Sequence, residues 1–318
     1  MTNHCISHIK DVDGICSAAL AVAANGGTFR LTDYDELFFE LDNIPEATES
    51  LVLCDLGTDA TRFGEFVERL ANLQKRMQVT YIDHHFLTEE MRKSLQSLPI
   101  RLVHDTTECA SMLTYLTFRS RLPAGAGYLA LYGAVTDYLD ASPTAAKMME
   151  RFDRQFVLLE CTMLSYALAN NAGEYPYLEN VVAELVAMKK PHAIKMVSEL
   201  ALGQLVVVDE LAGLVGKKGV QLGRLAYMET EESSTGNVAK LLLGAFDVVV
   251  GVSYKKKDGD RSEMSLRGTS ECRVHLGQAI SEIAGRYGGN GGGHQKAAGC
   301  SIPTEKVLPA LEELSSRV

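Results

Sequence analysis

The sequence predicts an α/β protein. An N-terminal domain holds a mostly parallel sheet, a helical region connects onward, and a smaller α/β C-terminal domain holds a mixed sheet. Three observations predict this. Short apolar runs alternate with helical patterns through the first third of the chain, which implies parallel strands covered on both faces. Helical patterns then follow one another from about 107 to 203. Strand-like runs return beyond Gly203. A chain of 318 residues is comfortable for two domains. The expected division is 1–190, a linker at 191–203, and 204–318.

Each element has its reason. Cys5-Ile6-Ser7 reads as a short strand, followed by an alanine-rich helix from Ile15 to Ala24 that Asn25-Gly26-Gly27 stops. Phe29-Arg30-Leu31 reads as a second strand and Leu51 to Cys54 as a third. Phe63, Phe66, Val67 and Leu70 give a helical stripe within 62–76. Val79 to Ile82 and Leu102-Val103 complete the strands of the first half. Helices are expected over 109–119, 127–137, 151–170 and 178–201, with Pro191 breaking the last pattern. In the C-terminal part, 205–208, 220–227, 246–254 and 262–267 read as strands. There, 237–243 and 274–287 read as helices.

Composition narrows the class. A formal net charge of −10 argues against bulk adhesion to long duplex DNA or to an anionic membrane. It leaves a nucleotide ligand open, because bound divalent cations reverse the local field. Seven Cys occur without a CxxC pair, which excludes a readable zinc finger or dithiol motif. Their odd number, with several inside apolar runs, fits reduced core thiols and a cytoplasmic location. No signal peptide is read at the N-terminus, and no apolar window approaches the roughly 20 residues of a membrane span.

The chemistry lies at the strand ends, where open α/β sheets bind ligands. His8, Asp11 and Asp13 follow the first strand, Asp55 follows Leu51 to Cys54, and Asp83-His84-His85 ends Val79 to Ile82. Asp137 ends the apolar stretch from Leu131. Taken singly, Asp55 or Asp137 reads as a helix cap or turn residue. His4 and His104 read as structural, Asp105 as a turn residue, and Asp33, Asp35 and Asp42 as solvated loop acids. The concentration of His with Asp at 8–13 and 83–85 shifts the odds. Four carboxylates and two imidazoles suffice for two divalent ions with one bridging carboxylate. Asp11 and Asp13, two apart on an extended turn, point to opposite sides and can serve different ions. Mixed imidazole and carboxylate donors suit manganese, iron, cobalt or zinc better than calcium. The expected chemistry is hydrolysis of a phosphoester or phosphoanhydride.

The sequence resembles the DHH phosphoesterases, a family that includes RecJ-type exonucleases, short-oligonucleotide ribonucleases, cyclic dinucleotide phosphodiesterases and family II pyrophosphatases. Four motifs match in order: Ser-His-Ile-Lys-Asp-Val-Asp-Gly at 7–14, Leu-Val-Leu-Cys-Asp at 51–55, Ile-Asp-His-His at 82–85 and Gly-Ala-Val-Thr-Asp at 133–137. The resemblance implies one manganese on His8, Asp11 and Asp55, and a second on Asp13, Asp55, His84 and Asp137. It makes Asp83 a supporting group and His85 a contact to the substrate phosphate. His8 and Asp11 are three positions apart where many RecJ-type relatives have two, so which of Asp11 and Asp13 serves which ion stays open.

Gly288 to Gly299 forms the second strong feature. Successive glycines let backbone N–H groups approach an anion, as in a phosphate nest. The pattern Gly-Gly-Gly-His-x-x-Ala-Ala-Gly at 291–299 resembles the DHH-associated C-terminal domain. That likeness implies nucleotide binding through Gly291, Gly292, Gly293, His294 and Arg267. It turns away from the pyrophosphatases, which close with a different domain. The chain has no Trp and no evident aromatic, basic groove. The expected substrate is therefore a short single-stranded oligonucleotide or dinucleotide cut to mononucleotides. Cyclic dinucleotides and 3′-phosphoadenosine 5′-phosphate come next. A RecJ-like single-strand exonuclease and a non-catalytic nucleotide-binding regulator are the competing readings. No membrane partner is expected, and a homodimer is left open.

Overall fold

The computed structural model describes residues 2–58, 61–170, 174–231, 235–257, 259–293 and 295–318. It divides into two units, Met1–Gln204 and Leu205–Val318. In the first, β1 (Asn3–His8), α1 (Val12–Asn25), β2 (Thr28–Thr32), α2 (Leu37–Asp42), β3 (Ser50–Cys54), α3 (Phe63–Leu73), β4 (Gln78–Asp83), α4 (Glu89–Gln96) and β5 (Arg101–His104) alternate. All pairings are parallel, in the order β2-β1-β3-β4-β5. The chain steps from β1 to one side and then resumes on the other at β3. This switch point leaves a crevice at the carboxyl ends of β1 and β3.

Alternation along the strands builds two cores. Cys5, Val52, Cys54 and Ile82 face one. Ile6, Leu51, Leu53, Val79 and Tyr81 face the other, against α2, α3 and α4. Both faces are covered, so the strands read as unbroken apolar runs. α1 is buried from Val12 to Ala21 with no polar face, as a helix sunk in a core must be. Around it pack α5 (Ala110–Phe118), α6 (Gly127–Thr136), α8 (Arg154–Asn170) and α9 (Tyr175–Val186), with α7 (Pro143–Met149) between α6 and α8 in sequence. Pro191 opens a 3₁₀ turn, and α10 runs from Val197 to Lys218.

The second unit continues with β6 (Val220–Leu222), β7 (Leu225–Glu229), α11 (Thr235–Phe246), β8 (Val250–Lys257), β9 (Arg261–Gly268), α12 (Leu276–Arg286), β10 (Asn290–Gly293), β11 (Ala297–Pro303) and α13 (Val307–Ser315). The sheet order is β10-β11-β9-β8-β7-β6. Only β7 and β8 pair in parallel, so this sheet is mixed.

Three local expectations change. Residues 205–208, expected as a strand, lie within α10. Val207, Leu211 and Val215 pack into one core at a spacing of four, and that helical period outweighs the short β-branched run. The stretch 220–227 is two strands, because Gly223 at φ +61 turns the chain into a hairpin. The glycine run, compared above with a phosphate nest and given no strand, is regular over 290–293, an edge strand pairing antiparallel with β11.

Candidate metal centre

Each acidic or imidazole group reaches the crevice because a helix or strand ends there. β1 ends at His8, and Asp11 caps α1, accepting from Gly14 N at 2.9 Å. His8 Nδ1 lies 2.8 Å from Asp11 Oδ2 and 3.8 Å from Asp55 Oδ2. A Cβ on Gly14 would stand 2.3 Å from the His8 carbonyl oxygen, so only glycine lets α1 start this close to β1. Asp13 is fully buried in the first turn of α1. Its two oxygens accept from Ala110 N at 2.7 Å and Ser111 N at 2.8 Å, at the positive end of α5.

His84 joins the second group. Its Nε2 lies 3.2 Å from Asp55 Oδ1, 3.3 Å from Asp137 Oδ2 and 3.9 Å from Asp13 Oδ2. Asp55 therefore faces both imidazoles. Three overlapping sets place their ligand atoms within 4.8 Å of one another: His8-Asp11-Asp55, Asp13-His84-Asp137 and Asp55-His84-His85. All six residues expected to bind metal thus converge.

The electrostatics are those of a site crowded with acids. Burial, with repulsion from Asp11, Asp13 and Asp137, pushes the Asp55 carboxyl well above the usual carboxylate range. Burial and the charges of Asp13 and Asp11 push Asp137 up to about 9. Asp137 also closes the C-terminus of α6, where the helix dipole opposes a negative charge. Asp11 goes the other way: burial would raise it, but the bond to His8 outweighs this and holds it at about 2. His8 Nε2 and Asp55 Oδ2 are buried with no hydrogen-bond partner. Buried polar atoms are rarely left so. Divalent cations would satisfy both and neutralise the repulsion, so the residues present fit two such ions.

Asp83 stands behind this layer. It is fully buried and accepts from Tyr81 Oη at 3.0 Å and His85 Nδ1 at 2.7 Å. Burial alone would raise its carboxyl, yet the His85 imidazole holds it below the usual range. Burial alone would lower His85, yet Asp83 and the neighbouring acids raise it to about 9. His104, read as structural, anchors the backbone here by bonding the His85 carbonyl at 2.6 Å.

Several contributors were not read from the sequence. A Cβ on Gly57 would stand 2.8 Å from the His85 ring, and one on Gly133 would stand 2.2 Å from Asp13 Oδ1. Gly133 lies in a quoted motif, but nothing in its spacing told of that contact. Asp33, taken for a solvated loop acid, is ion-paired with Lys10 and lies 3.6 Å from His8 Nε2. Tyr34 meets His85 Nε2 through its hydroxyl at 3.0 Å. By contrast Asp105 bonds Thr107 N at 2.8 Å in a local turn, and His4 bonds Thr28 Oγ1 at 2.7 Å.

In the second unit the sheet brings the other expected residues into register. Arg267 on β9 pairs with Ala297 on β11, whose neighbour Ala298 pairs with Gly293. His294 lies outside the described residues. Gly236, in the first turn of α11, lies against Arg267: a Cβ there would stand 2.5 Å from the guanidinium, which would have to shift. Gly291 and Gly293 are more tightly constrained, by Cys300 Cβ at 2.6 Å and by the Ala297 carbonyl oxygen at 2.6 Å. Gly292 differs: among the described residues, its chain neighbours apart, nothing lies within 4 Å of where its Cβ would be.

Comparison with known proteins agrees with this layout. The profile of the DHH family, N-terminal domain matches residues 4–149, and that of the DHHA1 domain matches 222–318. An uncharacterised protein of Methanocaldococcus jannaschii is 33% identical over 88 residues, which are 26% of this chain and only 25% of that protein. Among solved structures, the DHH domain of a member of the s1p family of ribosomal proteins matches with a TM-score of 0.69 at 15% identity, over 99% of this chain and 86% of that one. RecJ of Thermus thermophilus, in complex with Mn²⁺, matches at 0.66 and 15% identity, over 99% of this chain and 51% of that one. The pGpG-specific phosphodiesterase PggH of Vibrio cholerae matches at 0.58 and 13% identity, over 99% of this chain and 98% of that one. At such identities the structural likeness is one of fold. The two domain matches cover most of the sequence: the chain belongs to the DHH family and carries a C-terminal DHHA1 domain.

Proposed function

We propose that this protein is a divalent-metal phosphodiesterase that hydrolyses short oligonucleotides or dinucleotides to mononucleotides. The carrying observation is the shared carboxylate. Asp55 Oδ1 stands 3.2 Å from His84 Nε2, and Asp55 Oδ2 stands 3.8 Å from His8 Nδ1. In this reading His8, Asp11 and Asp55 hold one ion, and Asp13, Asp55, His84 and Asp137 hold the other. Two divalent ions, of which manganese is our choice, would activate a water and neutralise phosphate charge.

The chain's own groups do the rest. Asp83 fixes the ring of His85 and its charge favours the cationic imidazole, which suits it to a phosphate. Asp13, held by two backbone amides, keeps the start of α1 aligned with α5. In the second unit, Arg267 and the β10 edge would hold the nucleotide. The open space beside Gly292 leaves room for a ligand, and an edge strand offers unpaired backbone donors.

Two things favour short substrates. The chain is acidic, which weakens attraction to long polyanions. A pGpG-specific phosphodiesterase, which acts on a dinucleotide, also shares the fold. The test is a panel assay with Mn²⁺ on a linear dinucleotide, a cyclic dinucleotide, 3′-phosphoadenosine 5′-phosphate and a long single strand. Cleavage of the linear dinucleotide foremost is expected. Cleavage of the long strand alone would refute the short-substrate assignment.

A further inference from the structure

We infer that Tyr34 is a substrate-contacting residue whose hydroxyl meets the phosphate together with His85. The inference rests on the phosphodiesterase reading and deepens it. His85 has two ring nitrogens, and both are engaged. Nδ1 donates to the Asp83 carboxylate at 2.7 Å, and Nε2 meets the Tyr34 hydroxyl at 3.0 Å. A phosphate approaching the Nε2 edge of His85 therefore encounters Tyr34 and shares that contact with it. The order Tyr81, Asp83, His85, Tyr34 runs outward, from a fully buried carboxylate to a tyrosine 37% exposed.

Tyr34 is held there by its own contacts. Its amide donates to Asp33 Oδ1 at 2.8 Å, and its carbonyl accepts from Arg62 Nη1 at 3.2 Å. Its ring stacks at a tilt on His8, centroids 4.8 Å apart, and meets His85 edge-on at 5.9 Å. One tyrosine thus touches both His8, of one ion's set, and the phosphate-facing His85. A hydroxyl carries one hydrogen and two lone pairs and rotates to suit its neighbours. The bond to His85 leaves it capacity for a phosphoryl oxygen.

Tyr34→Phe keeps the ring contacts and removes only the hydroxyl. With Mn²⁺-loaded protein, KM for a linear dinucleotide and Kd for inorganic phosphate are both expected to rise about tenfold, the loss of one hydrogen bond to a charged group. In a His85→Ala background the same change is expected to alter either constant less than about twofold, because the pair acts together. Metal occupancy and Tm are expected to stay at wild-type values. Unchanged constants in Tyr34→Phe overturn the inference, as does tighter phosphate binding, which would make the hydroxyl a shield over His85. The two readings fail separately. A wild type that cleaves no phosphodiester but binds phosphate through Tyr34 refutes the function and keeps the contact. A wild type that neither cleaves nor binds phosphate refutes both.

Discussion

Asp55 holds a backbone conformation that side chains other than glycine seldom adopt, φ +57, at a buried position. Strain of this kind persists where surrounding structure enforces it, commonly at functional sites. The sheet enforces it here: Asp55 N donates to the Ile82 carbonyl at 3.0 Å, which turns the carboxylate from β3 toward His84, just past the end of β4. Its raised pKa has a consequence for stability. Without metal, folded Asp55 and Asp137 keep protons that the unfolded chain releases near pH 4. His85, raised to about 9, also binds its proton more tightly when folded. All three make the folded state bind more protons, so stability falls as pH rises from about 4 toward 9, with His85 adding to the fall above about 6.5. Thermal unfolding in EDTA should show Tm falling across that window, less steeply in Asp55→Asn. Added Mn²⁺ should reverse the slope, because the ions bind the deprotonated acids. A flat Tm in EDTA would contradict the crowded-acid picture. At this scale the sequence displayed the six residues that converge, because they cluster at or just beyond the ends of apolar runs. It hid Asp33, Tyr34 and Gly57, whose roles depend on loops and strands meeting across distant positions.

Glycines of the C-terminal hairpin separate structural from ligand roles element by element. β10 lies at the edge of the second sheet, and its three glycines meet different surroundings. Gly291→Ala drives a methyl into Cys300 and should destabilise the protein by about 1–3 kcal/mol, read by chemical denaturation. Gly292→Ala meets open space, so stability should hold while KM for the dinucleotide rises. Equal effects of the two on stability, with no change in KM, would remove β10 from the substrate site. Elements were legible where period and length agreed, as with the parallel strands and the buried α1. α10 was not, because its Val206-Val207-Val208 run mimics a strand until Leu211 and Val215 are counted with it. The short α2, α4 and α7 carry too few turns to show a period. β10 was missed because glycines have no side-chain alternation to read.

For the molecule as a whole, acidity and a converging acid cluster work together only if cations occupy the first unit. The described residues include no helix long and apolar enough to cross a membrane. The α/β class, the helical middle and the mixed second sheet were all readable from alternating and consecutive patterns, since each unit buries its own apolar cores. The substrate was less legible, because its proposed determinants lie on an edge strand and an arginine that no period marks. The most direct test of the central claim is a metal titration of stripped protein, following bound Mn²⁺ and linear-dinucleotide hydrolysis together. The account expects hydrolysis to rise with the second ion per chain and to vanish in Asp55→Asn along with that occupancy. Hydrolysis without bound ion, or full two-ion occupancy with no phosphodiester cleaved, would contradict it.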